Sequence, residues 1–209
     1  MLGNYFWLIV GQEDGTKDRI LKNFYTAPPD YIRELADQFI EYFNPQEQKL
    51  LYLYHDRSAN QYRKVGRDVA SEVKRSIEYD ANDQPTGWHV KLMNENQGII
   101  TQAEEYDFMM ELLGGENKHL PTVEIDFYQC KELISSLQNT PVKVTKRAGK
   151  TKIEKDKSSE KRYAERPEMM PFMSTNFSDA FKYYFCRKEY MGRARSSKKV
   201  SFSDPKVRG

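Results

Sequence analysis

Two aspartates stand where acid chemistry could be done. Asp56 follows the apolar run "LLYLYH", residues 50–55, and Asp179 lies in "STNFSDAFKYY", residues 174–184, at the start of an amphipathic stretch. Ligands of open α/β sheets gather beyond the carboxyl ends of strands, and Asp56 falls at such an end. Carboxylates are hard oxygen ligands suited to Mg2+ or Mn2+, and paired ions can clamp the attacking and leaving oxygens of a phosphodiester. Such a centre ordinarily draws on three or more acids. Each aspartate also has a plainer use. Asp56 can close an Asx-turn or cap the next helix. Asp179 can sit in a first helical turn favoured by the helix dipole, with Asn176 as N-cap. From position alone both readings stand.

Other chemistry is thinly represented. "AGKT", residues 148–151, imitates the end of a phosphate-binding loop, but Val144 stands where the loop needs its first glycine. The strand-then-helix setting is missing as well. As a general base His55 has weaker support, with no nucleophile beside it, and His89 and His119 are isolated. Cys130 and Cys186 lack metal-type spacing and read as reduced thiols in amphipathic segments.

The elements that must position these residues follow from periodicity. Segments 4–12 and 18–26 flank Asp14-Gly15, a strong hairpin signal. Ile32, Leu35, Phe39 and Phe43 fall on one helical face, stopped by Asn44-Pro45. "KLLYLY" is continuously apolar, which predicts a strand covered on both faces, as in a parallel part of a sheet. Val65, Val69, Val73 and Ile77 predict a helix over about 64–78, and "WHVKLM" alternates as a strand. A helix closed by Gly114-Gly115 follows, then the strand "TVEIDF", the helix "YQCKELISSLQN" and a basic hairpin turning at Ala148-Gly149. The last helix is expected over "STNFSDAFKYYFCRKEYM". The order predicts an α/β fold with a mixed sheet and helices on both faces. One domain is expected over 1–190, with the basic insert at about 141–162 and a disordered basic tail over 191–209.

Charge is unevenly spread. Residues 187–209 carry eight basic and two acidic side chains, whereas residues 1–186 carry 25 basic and 29 acidic. A second basic run, 143–162, has nine basic residues against three acidic. Basic segments on a mildly acidic body point toward a polyanion partner. No run of 18 apolar residues occurs and no basic leader opens the chain, so neither a membrane span nor a signal peptide is expected.

Four segments, "YLYHDRSANQYRK", "GWHVKLMNENQGIITQAEEYDFMMELLGG", "IDFYQCKELISSL" and "MSTNFSDAFKYYFCRKEY", together resemble the nuclease domain of phage terminase large subunits. The likeness is to the type found in tailed phages and prophages of Bacteroidetes, and it covers most of residues 4–190. It implies an RNase H-like fold acting on double-stranded DNA with Mg2+ or Mn2+, cutting concatemeric genomes during packaging in the host cytoplasm. By position, Asp56 matches the family's second acidic motif and Asp179 its third. The resemblance also implies partners: the ATPase motor domain, the portal protein and the terminase small subunit. The family's first catalytic aspartate lies on a strand upstream of the segment matching "NYFWLIVGQ", and here nothing acidic precedes Glu13. The chain is therefore expected to be a fragment, with two strand edges left unpaired around the position of that strand. Little or no cleavage is expected, which leaves a non-catalytic module holding DNA or a packaging partner as the alternative. Lys146, Arg147, Lys150 and Lys152 on the hairpin, with Arg57 and Lys182 near the acids, are the expected phosphate contacts.

Overall fold

β1 (Phe6–Asp14) and β2 (Lys17–Thr26) form the antiparallel hairpin that Asp14-Gly15 predicts. Gly15 takes the left-handed conformation that its turn requires, at φ 62°. The computed structural model describes residues 5–27, 32–55, 68–93, 102–147, 150–158, 166–187 and 190–194. Within them the fold is mixed α/β. After the hairpin come α1 (Ile32–Tyr42), β3 (Leu50–Leu53), α2 (Val69–Glu78), β4 (His89–Leu92) and α3 (Gln102–Gly114). The second half holds β5 (Thr122–Ile125), α4 (Lys131–Asn139), β6 (Val142–Arg147), β7 (Lys150–Lys155), α5 (Met170–Met173) and α6 (Asn176–Phe185).

The strands form three ladders. β5 adds parallel to β2, giving a mixed sheet ordered β1-β2-β5; β3 and β4 pair in parallel, and β6 and β7 form a hairpin. Among the described residues no ladder joins β1 to β3. Alternation along β1 and β2 divides their side chains between two cores. Val10 and Phe24 face a cluster with Phe39 of α1, Ile77 of α2 and Leu53 and Val90 of the parallel pair. Ile20, with Trp7 and Ile9 packed beside it, faces Leu133 of α4 and Phe177, Phe181 and Phe185 of α6. Helices thus cover both faces of the mixed sheet.

Local chemistry adjusts several expected boundaries. α2 starts at Val69, because the Asp68 carboxylate accepts from the Ser71 amide at 2.8 Å and from its hydroxyl at 2.9 Å. Val65 lies outside the described residues. β3 pairs in parallel as expected, but one of its faces is open: Leu50 is 44% and Tyr52 49% exposed. There the ammonium of Lys91 lies 5.6 Å from the Tyr52 ring, a cation–π contact in place of a covering helix. α6 ends at Phe185 rather than running on to residue 191, since Cys186 leaves helical geometry at ψ 46°. The chain then re-forms helix over 190–194, where Tyr190, Met191 and Ala194 are buried in the α6 core. The body therefore extends past residue 190, and 195–209 lie outside the described residues.

Candidate functional site

Asp179 occupies the first turn of α6, as the sequence predicts. Thr175, not Asn176, holds the N-cap position, and no side chain of the helix caps itself. The Ser174 hydroxyl just before the helix accepts from the Asn176 amide at 3.0 Å, and α4 supplies a further cap. The Ser136 hydroxyl accepts from the Ser178 amide at 3.1 Å and donates to the Ser174 carbonyl at 2.7 Å. This buried bond fixes the helix start, and with it the direction of Asp179.

Three ammonium groups surround the Asp179 carboxylate. Lys155 at the end of β7 donates at 2.6 Å, Lys157 lies at 3.3 Å, and Lys182, one turn further along α6, lies at 3.4 Å. Glu105 of α3 closes the group, 3.3 Å from Lys182 and 4.0 Å from Lys155. Asp179 and Glu105 are 17% and 12% exposed, so the cluster is largely desolvated. Burial pushes the Asp179 carboxyl up, but Lys155 and Lys182, with Lys157 behind them, outweigh it and hold the group below its ordinary range. Burial likewise works against the Lys182 ammonium, and Asp179 and Glu105 more than compensate, raising its pKa.

The five groups carry three positive and two negative charges. Hard divalent cations need several oxygens free to turn toward them. Here both oxygens of Asp179 already accept from lysine, so the donors around it do not fit a divalent ion. No group of three or more His, Cys, Asp or Glu placed to hold a metal occurs among the described residues. Asp56 and Arg57 lie outside the described residues. Tyr54, two positions before Asp56, packs on Tyr184 of α6 with ring centroids 6.0 Å apart. Tyr184 lies five residues beyond Asp179, about 140° around the helix axis by α-helical geometry. The described end of β3 thus meets a different face of α6 from the one that carries Asp179.

The basic hairpin forms as expected, with Thr145 opposite Lys152 and Arg147 opposite Lys150. Lys143 and Lys146 are exposed, and Val144 between them is 65% exposed. Arg147, Lys150 and Lys152 are placed by backbone register alone. Lys182, expected at phosphate, has its ammonium beside two carboxylates and 4.8 Å from the Tyr183 ring.

A second charged network escaped the sequence reading. Asp18 of β2 is fully buried and accepts from Tyr190 at 2.7 Å and Tyr184 at 3.2 Å. Burial raises its pKa, while Tyr190 and Arg187 act in the opposite direction. The Arg187 guanidinium pairs with Glu13 and lies 4.4 to 4.9 Å from the rings of Tyr184, Tyr190 and Tyr54. Among the basic residues counted from 187 onward, this one is 3% exposed and belongs to the core. Glu105, Lys155 and Lys157 also went unrecognised as neighbours of Asp179, since nothing in one sequence marks which lysine of a basic run meets which carboxylate. Comparison with known proteins finds no matching family model, no matching curated protein and no matching solved structure.

Proposed function

We propose that this chain is a DNA-holding module on a terminase-nuclease-like scaffold, binding the duplex backbone without cutting it by itself. One observation carries the reading. The β6–β7 hairpin has six basic residues against one acidic over 142–155, and it is pinned at its base by Lys155 to Asp179. The same contact fills the carboxylate that a nuclease would offer to metal. Among the described residues β1-β2-β5 and β3-β4 share no ladder, and the resemblance puts a further strand between them.

Lysines contact phosphate by charge and hydrogen bonding, so binding should be indifferent to sequence and steeply salt-dependent. The test is fluorescence anisotropy of a labelled duplex titrated with the chain at several salt concentrations. Lys143→Glu with Lys146→Glu should weaken binding and make the log–log salt slope shallower by about 2, roughly 0.9 for each phosphate no longer neutralised. A slope unchanged by these substitutions sinks the assignment. Plasmid incubated with Mn2+ should remain intact.

A further inference from the structure

α3 is apolar on two sides. Its inner face puts Phe108 and Leu112 into the core. Its outer face carries Tyr106, Met110 and Leu113, which are 37%, 58% and 49% exposed. That i, i+4, i+7 spacing aligns the three in one stripe, spanning about 10 Å along the axis at 1.5 Å per residue. Beside the stripe runs an open groove of about 810 Å3 between α3 and the following loop. Asp107, Glu111 and Glu116 line it, together with Lys118 and His119. The Glu111 carboxylate accepts from the Asn117 side chain at 2.6 Å, tying the loop to the helix, so the far wall of the groove is held in place.

We propose that this face docks a basic amphipathic helix of a protein partner. The charge chooses the occupant. Three carboxylates against one lysine repel phosphate, so the face is no extension of the DNA surface; they favour lysine and arginine beside an apolar seam. The stripe gives such a helix two turns of contact in the helix-in-groove manner. Met110, the most exposed of the three, is a side chain that adapts to unlike partners.

Two synthetic peptides of the same leucine and lysine composition test this, one with all leucines on one helical face and one scrambled. Each is titrated into the isotope-labelled full chain and followed by amide NMR and anisotropy. The amphipathic peptide should bind about tenfold or more tighter than the scrambled one, the effect of burying a single apolar side chain. Its shifts should cluster on residues 106–119. Met110→Ser with Leu113→Ser should erase the difference between peptides. If that variant melts early, Asp107→Lys on the exposed wall should weaken the amphipathic peptide instead. Equal binding of both peptides overturns the proposal. So do shifts centred on the open face of β3, or stripe signals that move with protein concentration alone, the mark of a second copy as occupant.

Discussion

Replacing Asp179 with asparagine separates a structural ion cluster from a metal ligand. In the wild type the carboxylate accepts from Lys155 at 2.6 Å and meets Lys157 and Lys182 at 3.3 and 3.4 Å. A charge-assisted hydrogen bond contributes about 1.5–3 kcal/mol, and removing one partner of a fully buried pair costs about 3–5 kcal/mol. Lys155 and Lys182 are 21% and 18% exposed, so water offsets part of that penalty, and we expect about 2 kcal/mol. For a chain of this length the melting temperature should fall by about 4–8 °C. The pH dependence has a definite sign. The folded-state carboxyl is held below its ordinary value of 3.8, so its stabilisation is complete above that range and lost as pH falls through the depressed folded value. Urea denaturation of both proteins should therefore show a gap at neutral pH that closes as the medium is acidified below about pH 4. DNA affinity should hold or rise, because the variant keeps every lysine. A gap under about 0.5 kcal/mol at neutral pH, the scatter of ordinary surface substitutions, would refute the cluster argument. So would Mn2+-dependent nicking by the wild type that the variant lacks.

Three further outcomes follow from the buried groups. Arg187→Met should cost about 3 kcal/mol in urea at neutral pH, since it removes the cation 3.9 Å from the buried Asp18 carboxylate and the donor to the Tyr184 carbonyl; Arg187→Lys should not rescue it, because an ammonium cannot lie flat between three tyrosine rings. Asp18 has a raised folded pKa, so the folded chain keeps a proton that the unfolded chain has released, and stability from this group falls as pH rises from 3.8 through the folded value. Asp18→Asn should flatten that slope in urea midpoints measured across the acidic range. Burial pushes the Cys130 and Cys186 thiols up to about 12, so a thiol reagent at mildly alkaline pH should label neither until denaturant is added.

The hairpins were legible in the sequence because Asp14-Gly15 separates two strands of clear pattern and a glycine likewise interrupts the two basic strands, Val142–Arg147 and Lys150–Lys155. α1 was legible because Leu35 and Phe39 recur on one face. β3 misled: its unbroken apolar run predicts cover on both sides, yet a cation–π contact from Lys91 suffices for Tyr52. The end of α6 misled because Tyr190 and Met191 continue an apolar pattern that a break at Cys186 redirects into the same core. At the candidate site the sequence indicates Asp179 and a basic run, but not their meeting. Lys155 and Asp179 are 24 residues apart, and Glu105 reaches them from another helix. Such pairing is a product of tertiary packing, on which local periodicity is silent.

The parallel pair β3 and β4 shares no rung with the hairpin sheet among the described residues; side-chain packing through α1 bridges them, with Phe39 against Trp88 at 4.7 Å and against Phe24 of β2 at 6.4 Å between ring centroids. Hydrogen-bond ladders break all at once, whereas packed rings can part by degrees. Among the described residues the two ladders thus meet across side chains rather than rungs, the kind of junction at which sub-global opening is expected before a hydrogen-bonded ladder parts.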